Sequence, residues 1–200
     1  VYAGDAFSGK ASIDDPNGKL SVDGKAAGIL AFLHRRGKLS ADLTVDARAV
    51  NLHRLHLTDA LGDKTLSFSA AVKGQGTSLD DLSGSLAVSG FAMTGEGQDI
   101  RLGRLEAKAS SGLLGRSLDA RTDFGELHLA GQYDYATLPQ SIVRVLGHYL
   151  PSLVYPHPQY SIAKGKADYA FSLQLDDTRV LNSLFRTPVE TARPVRIDGR

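Results

Sequence analysis

Apolar residues recur at every second position along this chain, in segment after segment, and that periodicity admits few folds. "KLSVDG" sets Leu20 and Val22 against Ser21 and Asp23, and "KLSADLTVDA" sets Leu39, Ala41, Leu43 and Val45 against polar neighbours. The same count holds for Leu66, Phe68, Ala70 and Val72, for Leu118, Ala120, Thr122 and Phe124, and for Leu127, Leu129, Tyr133 and Tyr135. It returns once more in Tyr169, Phe171, Leu173 and Leu175. Successive side chains of a strand point to opposite faces, so a period of two describes a strand with one dry and one wet face. Many such strands imply a sheet with a single apolar side. Asp15, Pro16, Asn17 and Gly18 read as a turn between two of them, and Arg35, Arg36, Gly37 and Lys38 as the close of a hairpin. The longest apolar run, Ile29–Leu33, reads as a short buried strand and is far too short to span a membrane.

The count slips at glycines. Apolar parity moves from Leu86 and Val88 to Phe91 and Met93 at Gly90, and from Ile100 and Leu102 to Leu105 and Ala107 at Gly103. Further slips fall at Gly125 and near Gly165, where Tyr160 and Ile162 give way to Ala167 and Tyr169. A β-bulge adds one residue to a strand and restores the correct face, and glycine tolerates the backbone angles involved. Gly90 and Gly103, lacking other turn residues nearby, favour the bulge; Gly125 reads equally as a bulge or a hairpin turn. Repeated bulges bend a sheet.

Two segments leave the pattern. Ile142, Val145, Leu146 and Tyr149 lie at helical spacing and predict a helix over about 139–150. Val180, Leu181, Leu184 and Phe185 predict another over about 177–185, capped by Asp177. Residues 187–200 show no alternation and read as an extended or poorly ordered tail, which leaves 1–186 as the β segment. A weak internal repeat aligns "VDARAVNLHRL" with "VKGQGTSLDDL", so that Leu52 and Leu55 match Leu79 and Leu82. Repetition of a Leu-x-x-Leu linker without a repeated polar triad suggests architecture in place of catalysis.

Chemistry is thinly represented. The formal charge of +1 argues against a nucleic-acid binder, and zero cysteines exclude disulfides, thiolate metal sites and a cysteine nucleophile. His53 and His56 are spaced H-x-x-H, but no acidic ligand is adjacent and a strand would point them to opposite faces. Ser161 and Lys164 are spaced S-x-x-K without the supporting motifs of penicillin-recognising enzymes. Asp80 with Asp81, and Asp176 with Asp177, read as caps of the Leu-x-x-Leu segments. We expect no catalytic residue, no metal and no cofactor. The chain starts Val-Tyr-Ala, with neither an initiator Met nor a signal peptide, and is expected to be one segment of a longer protein.

Three stretches carry a resemblance: "TSLDDLSGSLAVSGFAM", "GELHLAGQYDYATLPQSIVRVLGHYLP" and "ADYAFSLQLDDTRVLNSLF". Across most of residues 40–185 the chain resembles the periplasmic repeats of TamB-type proteins of the AsmA-like group, especially their large Bacteroidetes-type members. The shared features are a lead-in of Leu79, Asp81, Leu82, Gly84 and Leu86, and a step from Leu129, Gly131 and Tyr133 to a helix ending at Tyr149, Leu150 and Pro151. The resemblance implies a mainly β fold: a long curved, bulged β-sheet forming a taco-like apolar groove, with one or two short helices. It further implies a periplasmic bridge anchored in the inner membrane by a segment not present here. Through other regions such a bridge reaches an Omp85-type outer-membrane barrel, and it carries phospholipid for outer-membrane biogenesis. The family offers no catalytic residue to carry over.

The apolar alternation independently calls for a cover over one face. The expected lipid-facing lining is Leu43, Val45, Leu66, Phe68, Val72, Leu86, Val88, Phe91, Phe124, Leu129, Phe171 and Leu173, kept on the concave side by bulges at Gly90, Gly103, Gly125 and Gly165. The alternative is a structural scaffold that assists outer-membrane protein assembly by β-strand pairing.

Overall fold

A computed structural model describes residues 2–3, 5–33, 37–56, 58, 62–95, 97–135, 168–177 and 194–200. Alternation becomes an antiparallel meander in which every strand pairs with its neighbours in sequence. The strands are β1 (Tyr2–Ala3), β2 (Ala6–Asp15), β3 (Gly18–Ala27), β4 (Leu39–Asn51), β5 (Thr65–Gly76) and β6 (Ser83–Gly95). They continue as β7 (Gln98–Gly112), β8 (Gly115–Thr122), β9 (Gly125–Gln132), β10 (Asp168–Leu175) and β11 (Val195–Gly199). Beside the two-residue β1, this is one ten-strand antiparallel sheet, neither closed nor strongly curled. The mainly β class therefore holds, while the described residues form an open sheet and not a closed taco.

Local chemistry explains the joints. Between β2 and β3 the Asp15 carboxylate accepts hydrogen bonds from the backbone N–H and side-chain amide of Asn17, at 2.8 and 2.9 Å, and this fixes the tight turn. The apolar run after β3 is not a strand: Ile29–Leu33 is the one helix among the described residues, α1. Asp5 decides this. Its carboxylate accepts from Leu30 and Ala31 N–H at 2.9 and 2.8 Å, meeting N-terminal donors that a five-residue helix leaves without internal partners. The stretch from β3 to β4 is thus a helical connection and not the two-strand hairpin expected. The tail also differs from expectation, because β11 pairs with β10 from Phe171 opposite Gly199 to Leu175 opposite Val195. Both helices expected at 139–150 and 177–185, and Gly165, lie outside the described residues apart from Asp177.

The register slips twice, on either side of β5. Ala47 lies opposite Phe68 but Val50 opposite Leu66, so β4 carries an extra residue at Arg48 or Ala49. Ser67 pairs with Ala92 but Ser69 with Ser89, so β6 carries an extra residue beside Phe68. In β6 the slip falls at Gly90, with φ +60°. Between β6 and β7 the register is constant, and Gly90 and Gly103 fall opposite each other between the pairs Ser89–Arg104 and Phe91–Leu102. Side-chain oxygens replace the missing ladder bonds at both ends of this line. Ser67 Oγ accepts from Ala49 N–H at 2.9 Å, and the Asp123 carboxylate accepts from the N–H groups of Gly103 and Arg104. A dislocation thus crosses the sheet from β4 to the β8–β9 turn. Gly125 is no part of it: it pairs with Thr122 across a two-residue hairpin turn, and the ladder of β9 with β10 runs without a slip.

Two substitutions test the dislocation in opposite directions. Gly90 has open space where a Cβ would go, so Gly90→Ala meets only the left-handed backbone penalty and should cost about 1 kcal/mol. Ala49 already sits at φ 51°, so Ala49→Gly should leave stability unchanged or raise it by up to about 1 kcal/mol. Urea unfolding of both variants checks the pair; equal losses at the two sites would contradict the register described.

Candidate functional site

The register places one side chain per strand in line across the whole sheet. One row runs Gly9, Gly24, Leu43, Val72, Leu86, Ala107, Ala120, Leu127, Leu173 and Ile197. The next on the same face runs Ala11, Val22, Val45, Ala70, Val88, Leu105, Thr122, Gly125, Leu175 and Val195. Neither row contains a charge. On the opposite face a row of Ser8, Lys25, Asp42, Lys73, Ser85, Lys108, Asp119, His128, Ser172 and Asp198 alternates in sign along much of its length.

Eleven of the twelve expected lining residues belong to the apolar face. Leu43, Val72, Leu86 and Leu173 share the first row, and Val45 and Val88 the second. Leu129 and Phe171 pair beside them, next to Leu118. Leu66, Phe68 and Phe91 lie at and beyond the dislocation, where the Phe68 and Phe91 rings sit 6.4 Å apart. Phe124 stands apart in the turn between β8 and β9, its carbonyl accepting from the N–H groups of Asp176 and Asp177.

Burial gathers at two ends of this face. At one end Val50, Leu66 and Ile100 are buried, with Met93 completing their row. At the other, Leu129 and Tyr133 are buried against Leu118, Leu127, Tyr135, Tyr169 and Phe171. Tyr133 meets Tyr135 edge-on at 5.4 Å and Tyr169 at 5.9 Å. Burial, reinforced by the neighbouring Tyr135 hydroxyl, pushes the Tyr133 phenol well above its usual range. Between the ends, Leu43, Val45, Val72, Leu86 and Val88 are only half-buried.

The described residues do form a depression, of about 650 Å³, but it opens on the charged face. Its walls include Lys108, Asp119, Arg121, Glu126, His128 and Arg196. Arg121 pairs with Glu126 at 2.9 Å and His128 with Asp119 at 2.5 Å, while Arg196 pairs with Asp198 at 2.9 Å. Apart from Lys108, these wall groups are met by their own neighbours, which leaves little field for a ligand.

A polar clamp closes the end where the tyrosines sit. The 3₁₀ turn Leu79–Asp81 joins β5 to β6, and Arg116, on the apolar side of β8, donates to the Asp80 carbonyl and to the Tyr133 carbonyl. Asp80 also accepts from Ser111 Oγ and from Tyr135 N–H. The first Leu-x-x-Leu copy, holding Leu52 and Leu55, lies at the opposite end of the sheet, since consecutive connections in a meander alternate ends. There Asn51 and Arg54 both donate to the Asp63 carboxylate at 2.6–2.8 Å, and exposed His53 and His56 flank them in the turn. Ser161 and Lys164 lie outside the described residues. Sequence reading missed Arg116 and Asp123, whose partners are far away in sequence. It also missed the exposed Leu113 and Leu114, though an apolar pair in a glycine-flanked turn was a readable signal.

These features define a class no narrower than an open antiparallel sheet with one continuous apolar face. Compared with protein-family models, with curated proteins and with solved structures, the chain matches none.

The 3₁₀ turn supplies a pH test. The Asp81 carboxylate, accepting from Thr77 Oγ and the N–H groups of Ser78 and Thr77, is held down at about 2. A depressed carboxylate stabilises the fold above its unfolded value of 3.8 and loses that contribution as pH falls through about 2. Asp81→Asn should flatten the stability profile in that window relative to the unaltered chain, as read by urea titration at pH 2, 3, 4 and 6.

Proposed function

We propose that this chain is a segment of a TamB-like bridge between inner and outer membranes, and that its apolar face carries phospholipid acyl chains for outer-membrane biogenesis. One observation carries the reading: two full rows across the sheet lack any charge, and Leu43, Val45, Val72, Leu86 and Val88 in their middle remain half-buried, with Ala70 alone among their neighbours there buried. Each methylene removed from water onto such a face contributes about 0.8 kcal/mol without directional bonding, so many lipids are held and none is fixed. A taco-like groove is the finer form of this reading, in which the open sheet curls around its load. A periplasmic location and an Omp85-type barrel partner follow from the sequence resemblance. No helix among the described residues is long and apolar enough to cross a membrane, so the anchor is assigned to another segment.

The second reading, a scaffold that pairs with client strands, draws on a free edge. β1 pairs with Ala6 and Phe7, and no strand among the described residues pairs with the outer side of residues 9–15 of β2.

Native mass spectrometry of the chain purified from a bacterial envelope in mild detergent tests the first reading. Bound phospholipid is expected, and Val88→Asp or Phe68→Asp, each placing a charge on the apolar face, should abolish it. A lipid-free chain, or one that keeps its lipid in both variants, would sink the proposal. The scaffold reading predicts instead that amide exchange across residues 9–15 slows when an unfolded outer-membrane strand is added.

A further inference from the structure

We propose that the end of the sheet carrying the β3–β4 and β7–β8 connections docks on a phospholipid bilayer. The observation is where large apolar side chains escape burial. Among the described residues five are exposed: Ile13, Ile29, Leu30, Leu113 and Leu114. Four of them share one end, because the pairs Ala27–Ser40, Leu39–Gly76, Gly84–Ala109 and Gly112–Gly115 bring those two connections to the same side.

Leu113 and Leu114 form the tip of the hairpin that follows β7, the longest strand, and are 106% and 97% exposed. Tight turns are normally made by Asn, Asp or Gly, whose backbone preferences suit them; leucine brings no turn propensity. Neither leucine has a positive φ, so neither is there to supply an unusual backbone angle. Four strand spacings away, about 20 Å, α1 presents Ile29 and Leu30, 39% and 51% exposed. In sequence α1 leads directly into Arg35, Arg36 and Lys38.

Two protruding apolar points on one rim, one followed by a basic run, have the chemistry of interfacial anchoring. A bilayer accepts convex tips at any spacing, whereas a protein partner needs matching pockets. Acidic groups at this end are already engaged: Asp81 by Thr77 and Ser78, and Asp134 by Arg116 at 3.5 Å. The connections at the opposite end present polar groups, Asn17, Arg54, Asp63 and Asp123, with the two acids likewise engaged, and no exposed large apolar tip among the described residues. This surface is a strand end and not the sheet face, so the inference stands whether or not the face holds lipid.

The test is flotation of the whole chain with vesicles of phosphatidylethanolamine and phosphatidylglycerol, with phosphatidylcholine vesicles alongside. Binding is expected to both, tighter to the anionic set. Leu113→Ser with Leu114→Ser should lower the partition coefficient at least about tenfold while leaving the thermal melt unchanged. Because the chain has no tryptophan, Leu114→Trp installs a single reporter whose emission should shift to the blue on adding vesicles. Unshifted emission, or a serine variant that floats as well as the parent, overturns the proposal. So does concentration-dependent self-association that the serine variant abolishes, since the leucines would then be joining copies of the chain. Lipid retained on the face should survive the serine changes, which separates this result from failure of the lipid-carrying reading.

Discussion

Everything in this structure depends on keeping apolar alternation in phase from strand to strand. A period of two is unforgiving: a slip of one residue sends every later side chain of a strand to the opposite face. Ten strands stay in phase here because each local excess is absorbed where it arises. β4 and β6 each carry one residue more than β5, and β7 matches β6 through the opposed Gly90 and Gly103. Ser67 and Asp123 then supply oxygens to backbone donors that the dislocation leaves unpaired. Without these corrections, Phe91 and Met93 would face the charged side and the apolar rows would break in the middle of the sheet.

The two faces use their residues differently. On the polar face, lysines, arginines and acids sit opposite one another across strands and neutralise locally, as Lys73 does with Asp42 at 3.3 Å. Such exposed pairs add little stability, with a median of about 0–1 kcal/mol, but they keep that face soluble and unattractive to a charged ligand. On the apolar face nothing competes with water except more hydrocarbon. Free energy for binding is therefore available on the side without the depression, which is why the proposed load is an acyl chain and the 650 Å³ hollow is left out of the mechanism.

Most of the sheet was legible in the sequence because alternation is a local signal. Leu20 with Val22, Leu43 with Val45 and Tyr169 with Phe171 each announced a strand that the structure contains. Gly90 was legible as a slip because a glycine marked it. The slip in β4 has the same signature, Ala47 giving way to Val50, but it passes through Ala49 and went unread. Ile29–Leu33 was misread because helix or strand was decided by Asp5, a residue in another connection, and not by the apolar run itself. Gly125 shows the converse limit: a parity change at glycine looks the same for a bulge and for a hairpin, and only the partner strand distinguishes them. That eleven of the expected lining residues share one face was legible for the same reason as the strands, whereas Arg116 was not, because its partners Asp80 and Tyr133 meet it only after folding.

An open sheet has to solve a problem that a closed one does not, since half-buried leucines in the middle of a face invite both cargo and aggregation. The distribution of burial suggests how the two are balanced. The row of Val50, Leu66 and Ile100 at one end and the Leu129 and Tyr133 cluster at the other are buried firmly enough to hold strand register. In the middle rows only the Ala70 and Leu175 side chains are buried, and the larger Leu43, Val45, Val72, Leu86 and Val88 stay half-buried. A face made wholly of tight packing would exclude acyl chains, and one made wholly of exposed leucine would not specify a fold. Separating the two roles along the strand reconciles them, and under the proposed function an acyl chain would lie across the strands, along the uncharged rows, where apolar contact continues from one strand to the next.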